Sequence, residues 1–219
     1  MGPVDTDKLF TYIKFNDATE LEDALKDSRV DPNVVNDDGW SLLHIASQFG
    51  NLECIKVLLK NSRTNINIKG PLRITPLFSA IENKQLECAK VLLAHSNINV
   101  NIRNESQQTP LLYAIENDRF DFVKLLISHP NINLSTFDGN GKTASDLATE
   151  SKSTHRKEIL ELLGQYDIEE LHKEDVPTQT EETQAGNTQR YGGSRYVIRT
   201  EPETAAEKRI RMQLLRGLI

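Results

Sequence analysis

Cysteine is scarce in this chain, with two among 219 residues, Cys54 and Cys88. Two thiols cannot build the disulfide framework of a small secreted domain, and they fit a reducing compartment. Long apolar runs are missing as well. The longest are pieces such as Val57-Leu58-Leu59 and Leu125-Leu126-Ile127, far short of the roughly 18 to 20 residues that cross a bilayer. No membrane span is expected. The opening residues MGPVDTDKLF carry neither a basic stretch nor an apolar core, so no secretory signal is expected in the sequence as given. Gly2 and Thr6 fit the formal myristoylation pattern, but Pro3 beside the acceptor glycine and Asp5 argue against acylation. What the chain does have, 37% hydrophobic and 26% charged residues, suits one soluble domain with or without a tail.

The chain repeats itself. The shift that carries Ser41 onto Thr75 aligns Ser41-Leu-Leu-His-Ile-Ala46, Thr75-Pro-Leu-Phe-Ser-Ala80, Thr109-Pro-Leu-Leu-Tyr-Ala114 and Thr143-Ala-Ser-Asp-Leu-Ala148 in turn. The same shift aligns a second block, Leu52–Leu59, Leu86–Leu93 and Phe120–Ile127. Both blocks have helical periodicity. In the first copy of the second block, Leu52, Ile55, Leu58 and Leu59 share one face, opposite Glu53, Lys56 and Lys60. The Thr75-Pro76 and Thr109-Pro110 pairs read as N-caps followed by proline at the first helical position. Between units, segments such as Asn65–Gly70 and Asn99–Asn104 alternate like short strands and run into turn residues such as Asp38-Gly39. Each unit is therefore expected to be helix, helix, hairpin.

This pattern resembles the ankyrin repeat, with its T-P-L-H-x-A signature and a period of about 33 residues. The resemblance covers residues 7 to 163. Leu21, Ala24 and Leu25 fall where Ile55, Leu58 and Leu59 stand one period later, marking a first unit without the signature. Ile159, Leu160, Leu162 and Leu163 supply the last helix, offset by about two residues, with the loop from Ser151 to Thr154 absorbing the insertion. The expected fold is an all-α ankyrin-repeat solenoid of about five helix pairs with short β-hairpins. Cys54 and Cys88 take equivalent places on adjacent helices about 8 to 10 Å apart, too far for a disulfide, and read as core residues. The resemblance implies that His44 braces the neighbouring hairpin. It also implies partner contacts at the hairpin tips and first-helix ends: Trp40, Gln48 and Phe49; Leu72, Arg73, Ile74, Glu82 and Asn83; Arg103, Gln108, Glu116 and Asn117; and Phe137, Lys142 and Glu150. Trp40, single in the chain, is the sharpest candidate because tryptophan is enriched at binding hot spots. The alternative is an indole folded back onto its own hairpin.

Residues for chemistry are missing. His44 aligns with Phe78, Leu112 and Asp146, so no histidine set forms, and the other histidines show no zinc spacing. There is no Walker loop, GxGxxG or GxSxG. Gly139-Asn140-Gly141 reads as a hairpin tip. Glu82, Glu116 and Glu150 recur once per period, which makes them a ridge and not a paired acid and base. No catalytic residue, cofactor, metal or small-molecule substrate is expected.

Past residue 164 the repeat ends. The net charge of −6 divides into −4 over residues 1–164, −6 over 165–189 and +4 over 190–219. Residues 165–189, rich in Glu, Thr and Gln, read as a disordered acidic linker. Residues 190–219 read as a basic tail holding Arg195 and Tyr196 and ending in an amphipathic helix, with Ala206, Ile210, Leu214 and Leu218 at four-residue spacing. Three roles are open for it: a partner-binding helix, an element docked on the chain's own stack, or a weak membrane-surface contact. Nucleic acid is not the expected partner, because no broad Lys/Arg face accompanies the tail. The expected function is binding of another protein as adaptor, inhibitor or scaffold, in the cytoplasm or alternatively the nucleus. The rival is a permanent subunit of a large assembly.

Overall fold

The computed structural model describes residues 5–171, with side chains to residue 164. Among these residues it is all-helical. Ten α-helices follow in chain order: α1 Thr6–Lys14, α2 Ala18–Leu25, α3 Leu42–Phe49, α4 Leu52–Lys60, α5 Pro76–Glu82, α6 Leu86–Ala94, α7 Pro110–Glu116, α8 Phe120–Ile127, α9 Ala144–Glu150 and α10 Arg156–Leu171. Odd-numbered helices stack on one another as one layer and even-numbered helices as a second. The core lies between the layers.

Local signals set the helix limits. Ser41 accepts from His44 N–H while the His44 ring accepts from the Ser41 N–H, a reciprocal cap. Thr143 and Asp146 close the same box on α9, and Thr109 accepts from Leu112 N–H at 3.4 Å. Thr75 departs from expectation. It occupies the N-cap position but makes no side-chain cap bond, leaving Pro76 to set the helix start. The first helices of four units end alike. Asn16, Gly50, Lys84 and Asp118 all adopt positive φ, between 53° and 76°. The next N–H, at Asp17, Asn51, Gln85 and Arg119, reaches back five residues to a carbonyl at 2.8–2.9 Å. This is a Schellman-type stop, and its recurrence at residue 16 places Thr6–Leu25 in the stack as a full unit. The fifth first-helix ends without it, at Ser151, where the insertion enters.

Packing follows the register. Ala46, Ala80, Ala114 and Ala148 are fully buried, as are Leu58, Leu92 and Leu126 on the second helices. The face of α4 is rotated from the sequence expectation: Cys54, Ile55, Val57 and Leu58 are buried, whereas Leu52 and Leu59 are half-buried. Cys54 and Cys88 are buried free thiols, and burial pushes the Cys54 thiol up to about 11. Ile159, Leu162 and Leu163 are buried as expected, while α10 runs on past residue 164 to Leu171.

The inter-unit segments are not strands. Only isolated bridges, Val35 to Ser41 and Phe137 to Thr143, occur among the described residues. Each hairpin is closed instead by one bond from residue i to residue i+4: Asn36 N–H to Trp40 O, Gly70 to Ile74, Asn104 to Gln108 and Asp138 to Lys142, at 2.8–3.0 Å. The alternating asparagines do other work. Asn33, Asn67 and Asn101 each donate a side-chain N–H to the carbonyl of Arg63, Asn97 and Asn131 in the following unit, at 2.7–2.8 Å. Each also accepts from the backbone of Asn65, Asn99 or Asn133. A ladder of asparagine amides thus ties each unit to the next, satisfying backbone groups that strands would have paired. It stops at Ser135, which replaces the fourth asparagine.

Candidate functional site

The first helices and hairpins present two rows of residues at the repeat period. Along the helix ends run Lys14, Gln48, Glu82, Glu116 and Glu150, and beside them Phe15, Phe49, Asn83 and Asn117. Gln48, Glu82, Glu116 and Glu150 are exposed. The carboxylates are nonetheless held in place. Gln108 donates from Nε2 to Glu116, Lys142 pairs with Glu150, and the Tyr113 hydroxyl hydrogen-bonds Glu82. Burial and the nearby Glu82 charge raise the pKa of that phenol, so it serves as a donor. The Glu150 hydrogen bond and charge raise Lys142 likewise.

Phe15 and Phe49 are 73% and 58% exposed. They stand at equivalent positions on α1 and α3, which pack against each other, so an apolar edge continues across two units where Asn83 and Asn117 follow in the next two. Those amides are partly committed, donating to the Ser79 and Tyr113 carbonyls at 2.9 Å. Leu72, at a hairpin tip with φ of 54°, is 65% exposed, and Arg73 beside it is exposed. Arg103 lies over the exposed Phe137 ring, 4.9 Å from its centroid. Its charge caps an otherwise solvated aromatic.

Trp40 differs from the expectation of an exposed tip. The indole is half-buried, edge-on to His44 at 5.3 Å, and so close to Gly70 that a Cβ there would meet its ring at 2.9 Å. The ring folds back because Gly70 leaves room and Asn36 Oδ1 anchors the Trp40 N–H at 2.8 Å. Gln108 is 8% exposed, held by Asn104 and Glu116, so it positions the ridge from beneath. Ile74 is half-buried, and its carbonyl accepts from the ring of His44 at 2.9 Å. His44 is the brace expected between units. Arg195, Tyr196, Ile210, Leu214 and Leu218 lie outside the described residues.

Two residues escaped the sequence reading. Phe15 stands one period before Phe49, a signal that extending the register into the first unit would have found. Tyr113 sits between Glu82 and Phe78, edge-on to the Phe78 ring at 5.6 Å, and only the fold brings these together.

Catalytic geometry is not assembled by the one Ser, His and Asp group present. Ser153 donates its hydroxyl to Asp118, which also lies 3.7 Å from His155 Nδ1. In a nucleophilic triad the imidazole must stand between serine and carboxylate. Here the carboxylate takes both, and the imidazole stacks on Phe120 at 4.3 Å. The cluster clips the loop before α10 onto the preceding unit. Among the described residues no group of three or more His, Cys, Asp or Glu side chains is placed to hold a metal ion, and no helix is long and apolar enough to cross a membrane.

Comparison with known proteins defines the class. A family model of ankyrin repeats (3 copies) matches residues 9–104 and 96–174. The chain belongs to the ankyrin-repeat family. One solved relative is the ankyrin repeat protein EF0377, whose crystal structure superposes with a TM-score of 0.66 at 22% identity, covering 74% of this chain and 82% of that one. A search of curated proteins found no match. In all, 453 solved chains match, a breadth at which shared fold identifies a binding architecture but no particular partner.

Proposed function

We propose that this chain binds another protein along the face formed by its hairpins and first helices, acting as adaptor, inhibitor or scaffold. The observation that supports this reading is the in-register pair Phe15 and Phe49, exposed beside a row of carboxylates fixed by Tyr113, Gln108 and Lys142. A solvated edge gains nothing from two neighbouring phenyl rings, whereas a partner's apolar residue gains contact area there. The domain organisation in this proposal is a repeat domain over residues 1–164, an acidic linker over 165–189 and a basic segment over 190–219 that contributes a second contact. Linking two contacts on one chain raises avidity through effective concentration. The compartment proposed is the cytoplasm or nucleus.

Quantitative affinity capture by full-length protein from native lysate, beside Phe15→Ser/Phe49→Ser, tests this directly. Both side chains are exposed, so the variant should melt as wild type does and yet lose at least tenfold of its specific partner. Equal recovery of every protein by both forms would refute the reading. Size-exclusion of the lysate addresses the rival: a transient binder runs largely at its own size, whereas a permanent assembly subunit runs wholly in a large complex.

A further inference from the structure

We propose that the first occupant of this face is the chain's own C-terminal segment, residues 204–219, which an external partner must displace. The inference rests on the binding-face reading above and adds what fills the face when no partner is present. Its basis is a match in order as well as in charge. Along the stack, the carboxylates Glu150, Glu116 and Glu82 come first as seen from the C-terminal end, and the apolar edge of Phe49 and Phe15 comes last. The terminal segment has the same order. Leaving the stack after α10, it offers Lys208, Arg209 and Arg211 first, then Met212, Leu214, Leu215, Leu218 and Ile219. Laid antiparallel to the order of the units, its cations meet the glutamates and its apolar end reaches the two phenylalanines.

Length permits this. Residues 172–203 form the tether, whose root-mean-square reach as a flexible chain is about 30 Å. A stack spacing of about 10 Å per unit puts Glu116 and Glu82 within that reach and Phe15 within reach of the segment's far end. The charge balance favours the same pairing. Residues 190–219 carry +4 and residues 1–164 carry −4. On the opposite face, by contrast, Glu53, Glu87 and Asp121 are already neutralised by Lys56, Lys90 and Lys124 one turn on. Tethering makes the encounter intramolecular, so contacts too weak to hold a free peptide suffice here.

Lys208 is the one lysine in residues 190–219, which makes zero-length carbodiimide coupling of the purified full chain, without partner, a direct test. In the monomer fraction, Lys208 should couple to Glu82, Glu116 or Glu150 at least tenfold more than to Glu53, Glu87 or Asp121, as read by mass spectrometry. High salt should reduce the excess. Phe15→Ser/Phe49→Ser, in exposed positions, should also reduce it without changing the melting temperature. Coupling spread evenly over both faces would overturn the proposal, as would coupling confined to cross-linked dimers, which would assign the face to a second copy. Either failure leaves binding of an external partner untouched, because no partner enters the measurement.

Discussion

Lowering the pH should loosen the stack through one histidine. His44 is 1% exposed. Its Nδ1 faces the Ser41 N–H and hydroxyl at 3.3 and 2.8 Å, and its Nε2 lies 2.9 Å from the Ile74 carbonyl. The arrangement requires the neutral ring with its proton on Nε2, because a second proton on Nδ1 would point at the Ser41 N–H. Burial, opposed by the Ile74 carbonyl, pushes its pKa from 6.5 down to about 4. A depressed folded value means that the unfolded chain takes up a proton first. The stabilisation is whole above pH 6.5 and is lost as pH falls toward 4. Between pH 7 and pH 5 the loss from this group alone is about 2 kcal/mol. Asp27, held down to about 2 by Arg29, titrates below that window. Urea unfolding followed by circular dichroism at pH 7, 6 and 5 measures the slope. His44→Gln keeps an amide donor for Ile74 without the titration, so it should remove that share of the pH-dependent loss, about 2 kcal/mol. Parallel stability curves for the two proteins would refute the placement of His44.

Other substitutions probe other parts. Ala80→Asp or Ala114→Asp, at fully buried positions between helices, should destabilise by about 3 kcal/mol or more, seen as a collapse of the melting temperature. An unchanged melt would show the register to be wrong. The Ser47 hydroxyl is buried without a hydrogen-bond partner among the described residues, so Ser47→Ala should hold or raise the urea midpoint, by up to about 1 kcal/mol. Lys84, at φ 58° where the preceding unit has Gly50, should gain about 0.5–1 kcal/mol on Lys84→Gly; a loss of that size would contradict the left-handed turn. Trp40→Ala should lower both melting temperature and partner capture, whereas Phe49→Ala should lower capture alone. Identical behaviour of the two would remove the distinction drawn between packing and contact.

Much of the fold was legible because its determinants repeat. Ala46, Ala80, Ala114 and Ala148 mark the same tight contact four times, and a period that survives four copies carries both helix order and register. The asparagine segments misled because alternation of Asn with Ile or Val imitates a strand, whereas the amides are spent on the next unit's backbone, almost a full period away. Trp40 was ambiguous for a comparable reason: its burial depends on the missing side chain of Gly70, one unit further along. Gln108 is polar at a position where the neighbouring units have Ile74 and Lys142, and nothing local says that Asn104 and Glu116 will enclose it. Phe15 was readable in principle, yet the first unit lacks the signature that would have drawn attention to it.

Photo-cross-linking tests the binding face most directly. A benzophenone amino acid placed singly at residue 49 or 83 on the proposed face, and at residue 53 or 121 on the opposite face, reports which surface lies against other proteins in the cell. The account predicts a discrete cross-linked partner from positions 49 and 83, its yield falling at least tenfold at 53 and 121. Cross-links obtained equally from both faces, or only from residues 53 and 121, would contradict it.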